Sequence, residues 1–426
     1  MKKLSCELLD IYLKVLERLA PDGLVARFLR DGEDREGPID VLAVGKAAVP
    51  MACSSLATLG DQVRRGFLLT KYDHIDPASR KLLAGRFEMR ESAHPVPDRR
   101  GWESTVEILS WLEHGTGRLL VLMSGGASAL LVAPQDPLQL EDLVEINSRL
   151  LRSGLPIEKM NVLRKHLSRV KGGQLAARCG RYDSIEQLLM VDICAPGMKE
   201  DEILSLVGSG CFVADPFTEA EARVILRQLE LPDALAARAE AALHETPKNV
   251  RGSNRILASH SSLIEEARRL VREPLKHSLW NPEVTGEVKE LATRFSRVGR
   301  ELKEAGASGV LVAAGEPTVE ICVENPGRGG RCQELALRFA REIAGLPGLR
   351  MLAGSSDGTD GPTEDAGAMV DGTTWPRLCE LLGEEKMERI ILEHDSGSAL
   401  AHLDGALLRT GPTGQNVNDL YLLEIS

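Results

Sequence analysis

Three observations predict an α/β protein with two domains. The chain has 426 residues, which is too long for one ordinary hydrophobic core. Short, nearly continuous apolar runs alternate with longer helical patterns, as in parallel sheets that are covered by helices on both faces. A segment rich in Pro, Gly and Asn at 245–255 separates two such series. We therefore predict a first domain over 1–245 and a smaller α/β domain over 246–426.

The first domain is predicted to contain a doubly wound, mainly parallel sheet of the Rossmann-like type. The chain starts with an amphipathic helix, because acidic residues interrupt its apolar spacing, and this excludes a signal peptide. Residues 218–244 are rich in Ala, Leu, Glu and Arg and are also predicted to be helical. Four apolar runs that end in turn residues are predicted as strands: 39–45, 66–71, 118–124 and 186–193.

The second domain repeats the alternation and is predicted to contain a mixed sheet. Its first strand is expected at 308–316. The next segment, TVEICV (318–323), alternates apolar and polar residues and follows after one short turn, which favours an antiparallel neighbour. A helix is expected over 331–345. Further strands are expected at 349–356 and near the end, in GALLRTG (405–411) and DLYLLEI (419–425).

Composition excludes several classes of function. The net charge of −11 argues against a nucleic-acid-binding surface. No apolar run approaches the roughly 18 residues of a membrane helix. The eight cysteines are scattered without a Cys-x-x-Cys pair, which favours reduced thiols over a zinc or redox site. We therefore expect a cytoplasmic monomer or homodimer that acts on a small molecule, with a local basic pocket for any anionic substrate.

Two strand-to-helix turns are candidate anion-binding sites. In VLMSGGASALL (121–131), glycines and small residues would free backbone N–H groups at a helix start. Ser124 lacks the Gly-x-Ser-x-Gly context of a nucleophile, and a tight turn without a ligand is the other interpretation. In VGKAA, Lys46 follows a buried strand and is expected to face the ligand crevice of an open α/β sheet. A solvated lysine is the alternative there.

Two further stretches are basic. Seven Lys or Arg and no acidic residue lie between 159 and 181, and a continuous helix would place Arg164, Ser168 and Lys171 on one face. A solvated basic face is the alternative interpretation. The loop NPGRGGRCQE (325–334) has an arginine on each side of two glycines, a combination that suits recognition of phosphate or carboxylate.

The loop SSDGTDGPTEDAGAMVDG (355–372) is acidic and follows a predicted strand. Its clustered carboxylates are suited to Mg²⁺ that is shared with substrate phosphates, and a hydrogen-bonded, Asp-capped turn is the alternative. Basic Gly-rich loops, an acidic loop and no nucleophile–base pair together favour phosphoryl transfer. Because the chain lacks Gly-x-Gly-x-x-Gly, a dinucleotide-dependent oxidoreductase is disfavoured.

These motifs resemble, in order and from about residue 40 to 423, those of the class II glycerate 2-kinases, whose carboxyl-terminal half is called the MOFRL domain. The resemblance is carried by VGKAA, TKY, HPVPD, SGGASALL, MNVLRKHLSRVKGGQLA, GEPTVEICVENPGRGGRCQELAL, DGTDGPTEDAGAMVDG and TGPTGQNVNDL. It implies ATP- and Mg²⁺-dependent phosphorylation of D-glycerate, or of a similar 2-hydroxy acid, in a cleft between two domains. It also implies that the product is 2-phosphoglycerate.

The resemblance also implies roles for individual residues. Lys46, Arg331 and Asp192 are the candidate catalytic residues, and Asp357 and Asp360 are the candidate metal ligands. The candidate substrate- or nucleotide-binding residues are Ser124, Gly125, Gly126, Ser128, Arg164, Lys171, Glu316, Arg328, Gly329, Gly330, Thr413 and Asn416.

Three departures from the family pattern bear on activity. Ala127 replaces the last of three consecutive glycines, and its methyl group would narrow the approach of the backbone to a phosphate. Cys332 stands where the family has Asn. The stretch 192–212 is longer than the acidic Pro-Gly-Asp loop of the family. These departures favour two alternatives to a D-glycerate kinase: a changed 2-hydroxy-acid substrate, or ligand binding without catalysis. Hydroxypyruvate reductase, another name used in the family, is disfavoured because the dinucleotide fingerprint is missing.

Overall fold

The computed structural model describes residues 5–32, 37–275 and 281–426. It divides into two compact units, each discontinuous along the chain. The first-sheet unit consists of Pro21–Val191 and Gly197–Leu257, and the second-sheet unit consists of the chain up to Ala20, Asp192–Pro196 and Ala258–Ser426. The amino-terminal helix therefore belongs to the unit formed by the end of the chain. The single domain boundary between residues 245 and 246 stays a prediction.

The first-sheet unit is built on a doubly wound parallel sheet, which confirms the predicted fold class. Its strands are β1 (Ile39–Val44), β2 (Val63–Lys71), β3 (Phe87–Ser92), β4 (Gly117–Met123), β5 (Tyr182–Met190) and β6 (Ser253–Ala258). They lie in the order β3-β2-β1-β4-β5-β6, and the pairings from β3 through β5 are parallel. The end of the predicted 245–255 connection is therefore the start of a strand, β6.

The apolar runs form the centre of this sheet because both of its faces are covered. All six residues of β1 and the last five of β4 are buried. The strand order reverses between these two neighbours, so the connections that leave their carboxyl ends run in opposite directions and open a crevice where ligands of such sheets bind. Both Gly-containing turns found in the sequence leave from this point.

The second-sheet unit contains a mixed sheet, as predicted. Its strands are β7 (Glu283–Glu287), β8 (Gly309–Thr318), β9 (Leu349–Ser355), β10 (Gly367–Asp371), β11 (Leu407–Leu408) and β12 (Asp419–Ile425). They lie in the order β11-β10-β9-β12-β8-β7. Of the strand pairs in this sheet, β7–β8 is parallel, whereas β8–β12, β12–β9, β9–β10 and β10–β11 are antiparallel.

The sheet is mixed, but the predicted strand at 318–323 is not what makes it so. TVEICV (318–323) was expected as a strand, but β8 continues to Thr318 and residues 319–322 have no regular structure. The antiparallel pairs come instead from β12, the last strand, which inserts between β8 and β9. Alternation over a few exposed residues could not reveal this, because strand partners are set by contacts that are distant in sequence.

The helices cover both sheets. In the described residues they are α1 (Ser5–Arg18), α2 (Pro21–Asp31), α3 (Ala48–Leu59), α4 (Pro77–Leu83), α5 (Arg99–Glu113), α6 (Ala127–Leu130), α7 (Leu140–Arg152), α8 (Ile157–His166), α9 (Gln174–Arg178), α10 (Glu200–Leu206), α11 (Glu219–Leu226), α12 (Asp233–Ala242), α13 (His260–Leu270), α14 (Val288–Glu304), α15 (Arg331–Glu342), α16 (Thr374–Leu382), α17 (Glu384–Glu393) and α18 (Ser396–Leu400). Short 3₁₀ turns occur at Gly60–Gln62 and Val207–Ser209. Among the described residues, no helix is both long and apolar enough to cross a membrane.

The helix predicted at the start of the chain is present as α1, and it packs on the second sheet. Tyr12 is fully buried, and its hydroxyl donates a hydrogen bond to the carbonyl of Ser355 at the end of β9 (2.6 Å). A β-carbon on Gly354 would lie 2.7 Å from the Tyr12 ring, so glycine allows the aromatic ring to approach the strand. The side-chain amide of Gln415 donates to the carbonyl of Leu16 (3.0 Å) and attaches the same helix to the loop before β12.

Candidate functional site

In the first-sheet unit, the Gly-rich turn after β4 packs against the turn after β1. The amide of Lys46 donates to the carbonyl of Gly125 (2.9 Å), and the amide of Ala47 donates to the hydroxyl of Ser124 (3.0 Å). A β-carbon on Gly45 would lie 2.3 Å from the Ser124 hydroxyl oxygen, so glycine is required for this approach. The two turns therefore meet at one edge of the sheet.

Ser124 stabilises the contact between these turns. Its side chain is 1% exposed, its amide donates to the carbonyl of Val44 (3.0 Å), and its hydroxyl accepts from Ala47. Among the described residues, that hydroxyl has no hydrogen bond to a histidine or a carboxylate, which an activated nucleophile needs. The arrangement fits a hydrogen-bonding role for this serine.

Lys71 and His94 are two basic residues near Lys46 that local patterns did not single out. His94, two residues after β3, approaches the Gly126 turn, and the charges of Lys46 and Lys71 both act on its ring. The only sequence signal was the presence of these residues in the short motifs TKY and HPVPD. Neither motif has a spacing that indicates its chemistry.

Lys171 is a buried cation next to the same turn. It is 8% exposed, and its Nζ donates to the carbonyl of Ser128 (2.7 Å). The pKa of Lys171 is lowered to about 8, mainly by burial; the charge of Cys211 opposes this, and the charge of Arg164 adds a smaller lowering effect. Arg164 is itself half-buried and donates to the side-chain carbonyl of Asn147 (2.9 Å). Both cations therefore lie inside the unit rather than on a solvated face.

The predicted helical face shared by Arg164, Ser168 and Lys171 is wrong. Helix α8 ends at His166, because the chain then forms a short antiparallel bridge: Ser168 pairs with Pro134. The hydroxyl of Ser168 accepts a hydrogen bond from the amide of Lys171 (3.3 Å), which turns the chain before Gly172-Gly173. This turn, rather than helical spacing, directs Lys171 toward Ser128.

Replacement of Lys171 by methionine is expected to reveal the cost of this buried charge. The folded-state pKa of about 8 lies below the ordinary value of 10.5, so the unfolded chain binds the proton more tightly between these values. Wild-type stability relative to Lys171→Met should therefore rise as the pH increases from 8 to 10.5, by up to about 3 kcal/mol, and stay constant below pH 8. Urea unfolding at several pH values measures this difference.

Lys81→Met is the matched control, because Lys81 is exposed on α4. Its stability relative to wild type should not change over the same pH range. A flat difference for Lys171→Met would contradict the expectation.

The altered stretch 192–212 packs against these turns through its last residues. The hydroxyl of Ser209 lies 3.0 Å from that of Ser128, and its carbonyl accepts from the amide of Gly172 (3.0 Å). A β-carbon on Gly208 would lie 2.6 Å from the sulfur of Met123 and 3.6 Å from the methyl carbon of Ala127. The methyl group that departs from the family pattern is thus 1% exposed and packs toward a glycine of the altered stretch.

In the second-sheet unit, the guanidinium of Arg331 is bound to buried carboxylate. Its Nε donates to Oδ2 of Asp419 (2.5 Å), its Nη2 donates to Oδ1 (3.1 Å), and its Nη1 donates to Glu316 (2.8 Å). Asp419 is fully buried and also accepts from the hydroxyl of Tyr421 (3.0 Å). Burial alone would lower the pKa of Arg331, but the charge and hydrogen bonds of Asp419, together with the charges of Cys332 and Glu316, outweigh burial and raise that pKa. The catalytic role of Arg331 stays a prediction.

Arg328 is held by its backbone and not by its side chain. Its amide donates to Oδ1 of Asp395 (2.7 Å), and its carbonyl accepts from the amide of Gly397 (2.8 Å). A β-carbon on Gly327 would lie 2.3 Å from the β-carbon of Asp395, so glycine permits this docking. The guanidinium is exposed and, within the described part of the chain, has no hydrogen bond or ion pair. It is available to an external carboxylate or phosphate.

The second glycine of the arginine loop makes room for Asp360. A β-carbon on Gly330 would lie 2.2 Å from the carboxyl carbon of Asp360. The two carboxylate oxygens accept hydrogen bonds from the amides of Cys332 (3.1 Å) and Gln333 (2.8 Å), in the first turn of α15. Burial and the charge of Asp419 raise the pKa of Asp360 to about 7, although the two amides oppose this. Both oxygens are thus engaged in capping a helix.

Asp357 keeps one carboxylate oxygen available. Its Oδ1 accepts hydrogen bonds from the hydroxyl of Ser355 (3.0 Å) and from the amide of Thr359 (3.0 Å). Its other oxygen has no partner among the described residues. In residues 5–32, 37–275 and 281–426, no group of three or more His, Cys, Asp or Glu is arranged to hold a metal ion. A protein contribution of only one or two carboxylates is typical of Mg²⁺ that arrives with phosphates.

The remaining candidates in this unit form a polar network around Asn418. The side-chain amide of Asn418 donates to the carbonyl of Asp192 (2.7 Å) and to Glu316 (3.2 Å). Asn416 donates to the carboxylate of Asp192 (3.3 Å). The hydroxyl of Thr413 donates to the carbonyl of Ser356 (2.5 Å) and holds the loop in place. The network therefore brings together Asp192, Glu316 and Asn416, which are far apart in sequence.

Sequence patterns did not single out three residues that support this unit: Asp395, Asn418 and Asp419. Asn418 and Asp419 lie in the motif TGPTGQNVNDL, but nothing local shows that Asp419 is buried against an arginine. Asp395 lies at the junction of α17 and α18. No pattern in the sequence connects that junction with Arg328.

Comparison with known proteins covers nearly the whole chain. Residues 7–244 match a family described as a domain of unknown function (DUF4147), and residues 309–419 match the MOFRL family. A D-glycerate 2-kinase of Thermotoga maritima is 33% identical, over 99% of this chain and 98% of the relative. A protein of Agrobacterium vitis with a provisional hydroxypyruvate reductase name is 34% identical, over 92% of this chain and 88% of the relative.

The fold is equally similar to a solved structure. The crystal structure of glycerate kinase from Thermotoga maritima matches with a TM-score of 0.87 and 31% sequence identity, over 100% of both chains. Similarity in sequence and fold therefore extends over both sheets and the motifs at their edges. The chain belongs to the glycerate 2-kinase family whose members carry a MOFRL region.

Proposed function

We propose that this protein transfers the γ-phosphoryl group of ATP to the 2-hydroxyl group of D-glycerate, which yields 2-phosphoglycerate and ADP. The observation that carries the proposal is Lys46 at the point where the strand order reverses, next to the Gly-rich turn. No described carboxylate forms an ion pair with this lysine. A cation without a counter-ion at the ligand edge of such a sheet suits a phosphate.

The reaction needs few chemical groups from the protein. The 2-hydroxyl oxygen forms a bond to the γ-phosphorus, the bond from that phosphorus to the bridging oxygen of ADP breaks, and the hydroxyl proton is released. Catalysis then consists mainly of positioning and charge neutralisation. Lys46 would neutralise the transferred phosphoryl group. The exposed fork of Arg328 would bind the glycerate carboxylate through two parallel hydrogen bonds.

The described residues fit a metal that arrives with the nucleotide. Asp357 has a carboxylate oxygen without a partner among them, whereas both oxygens of Asp360 cap α15. We therefore favour Asp357 over Asp360 as a ligand, with Asp192 as a further candidate. Mg²⁺ would reduce the charge of the phosphates when bound.

A reductase is the second candidate, because the strand order β3-β2-β1-β4-β5-β6 also occurs in dinucleotide-binding domains. The turn after β1 reads Gly45-Lys46-Ala47-Ala48 and lacks the second glycine that lets a backbone approach a pyrophosphate. We expect no oxidation of NADH or NADPH with hydroxypyruvate. Substrate-dependent oxidation of either cofactor would favour the reductase.

A coupled assay of ADP release with ATP, Mg²⁺ and D-glycerate tests the kinase directly. The wild-type protein is expected to turn over, and Lys46→Ala is expected to lower kcat about a hundredfold, because a cation that stabilises transition-state charge is removed. Circular dichroism checks that the variant is folded. Phosphorus NMR identifies the product, because the phosphorus of a 2-phosphate couples to one carbon-bound proton and that of a 3-phosphate to two.

Absence of wild-type turnover would overturn the proposal. Calorimetry would then separate the two alternatives left by the altered stretch 192–212. Binding of ATP without turnover of any 2-hydroxy acid would indicate a ligand-binding protein, and turnover of another acid would indicate a changed substrate.

A further inference from the structure

Four basic side chains gather where β1, β2 and β3 end. Lys46 lies two residues after β1, Lys71 is the last residue of β2, and His74 and His94 follow β2 and β3. The three strands are parallel neighbours, and Lys71 pairs with Ser92, the last residue of β3. Their carboxyl ends therefore share one edge of the sheet. We call these four residues the basic cluster; they occur in a chain whose net charge is −11.

The Gly126 turn lies against two members of the cluster. Gly126 has a positive φ of 86°. A β-carbon built on it would lie 3.1 Å from Cδ2 and 3.2 Å from Nε2 of His94, and 3.3 Å from Cγ of Lys46. The imidazole ring and the lysine stem therefore both border the turn.

Glu91 and Asp98, two carboxylates on the flanking segments, already have hydrogen-bond partners. Glu91 accepts a hydrogen bond from the amide of His74 (3.1 Å), and its other oxygen pairs with Arg80 (3.4 Å). Asp98 accepts from the hydroxyl of Tyr72 (2.5 Å). In the part of the chain that the structure describes, no carboxylate forms an ion pair with the cluster's two lysines.

The imidazole ring of His94 is neutral and available for hydrogen bonding. It is half-buried and has no hydrogen-bond partner among the described residues. Burial, and then the charges of Lys46, Lys71 and His74, lower the pKa of His94 to about 4. Glu91 is the acidic group that acts on His74. Like charges held together without counter-ions are unfavourable, and a bound anion would relieve that repulsion.

We propose that Lys71 and His94 act with Lys46 to bind a phosphate group at this edge of the sheet. The proposal rests on the proposed kinase function, in which the phosphate belongs either to the nucleotide or to the phosphorylated hydroxy acid. The two ammonium groups supply charge, and the imidazole supplies an N–H donor. Neither Lys71 nor His94 is needed for the contact between the two turns, which depends on Ser124, Gly125 and Gly45.

Calorimetric titration of Lys71→Met and His94→Ala with Mg·ATP, Mg·ADP and 2-phosphoglycerate tests the proposal. Each variant is expected to bind at least one of these probes tenfold or more weakly than wild type, and to bind D-glycerate, which has no phosphate, unchanged. Weakening of ATP and ADP together identifies the nucleotide as the source of the phosphate; weakening of 2-phosphoglycerate alone identifies the product. His94→Gln, which keeps an N–H donor, should recover part of the affinity.

Lys81→Met removes an exposed lysine from the neighbouring α4 and is the matched control. Its affinities should equal those of wild type. If Lys71→Met and His94→Ala are folded and bind all three phosphate-bearing probes like wild type, the inference is overturned. The kinase assay of the wild-type protein is a separate readout. Binding that depends on Lys71, without wild-type turnover, would reject the function and keep the phosphate site.

Proton uptake distinguishes a direct contact from a structural effect. A bound phosphate favours the charged form of His94 and raises its pKa, so binding near pH 5 should take up protons. Titrations in two buffers with different ionisation enthalpies measure this uptake. It should decrease in His94→Ala, in which His74 and Glu91 are retained, and equal uptake in both proteins would contradict a contact between His94 and the phosphate.

Discussion

Replacement of Asp419 by alanine is expected to lower the free energy of unfolding of the second-sheet unit by about 3–5 kcal/mol. Asp419 is fully buried, and it accepts two hydrogen bonds from Arg331 and one from Tyr421. Removal of one partner from a buried ion pair leaves the other charge without compensation, which costs more than the intact pair contributes. Urea unfolding followed by circular dichroism measures the change.

The burial of this pair makes the prediction specific. Arg341 and Glu388 form an ion pair of comparable length (2.6 Å), but their side chains are 43% and 51% exposed. Glu388→Ala should therefore cost no more than about 1 kcal/mol. A loss of similar size in the two variants would show that burial is not the cause.

A double variant distinguishes the cost of leaving the Arg331 charge buried without a partner from the cost of losing its hydrogen bonds to Asp419. In Arg331→Met with Asp419→Ala, no charge remains buried without its partner, so the double variant should be more stable than Asp419→Ala alone. If Asp419→Ala does not fold, Asp419→Asn gives the comparison, because it keeps an acceptor and the side-chain volume. Additive losses would contradict the argument.

The first sheet could be predicted from the sequence because its information is local. Runs such as 39–44 and 119–123 are buried on both faces, and each is followed by turn residues. Both turns carry glycines where the backbone makes a close approach, at Gly45 for example. Alternation with helices then leaves few arrangements apart from a doubly wound sheet.

The second sheet could be predicted only in outline, because its arrangement depends on distant partners. β12, at the end of the chain, lies between β8 and β9, and Asp419 faces Gly315 on one side and Ser355 on the other. Helix α1, from the start of the chain, covers the same sheet through Tyr12. Local periodicity indicates neither contact. Without them, it wrongly predicted a strand of its own at 318–323.

In the candidate site, too, the chemistry of single residues could be predicted from the sequence, but their distant partners could not. Sequence placed Arg328 and Arg331 in one loop and gave both the same chemistry. The structure separates them, since Arg331 has a buried carboxylate partner 88 residues later in the chain and Arg328 has none among the described residues. Likewise, Ala127 seemed to narrow the Gly-rich turn, but its methyl group packs toward Gly208 in the stretch that also departs from the family. The two departures are therefore neighbours in the fold.

Arg328 should consequently matter for activity and not for stability. If its fork binds the glycerate carboxylate, Arg328→Ala removes two charge-assisted hydrogen bonds of about 2 kcal/mol each. We expect kcat/KM for D-glycerate to fall about a thousandfold, whereas the free energy of unfolding should stay within about 0.5 kcal/mol of wild type. Steady-state kinetics and urea unfolding of the same preparation measure the two quantities.

Two further variants test whether the fork geometry carries the effect. Arg328→Lys keeps the charge but not the planar pair of donors, so it should recover only part of kcat/KM. Asp395→Ala keeps the guanidinium but removes the acceptor that holds the amide of Arg328, so it should raise KM more than it lowers kcat. Arg389→Ala, an exposed residue of α17, is the control and should behave like wild type. Full activity of Arg328→Ala would reject carboxylate binding by this residue. It would favour Arg331 for that role, because the ion pair of Arg331 with Glu316 is partly exposed and substrate can replace it.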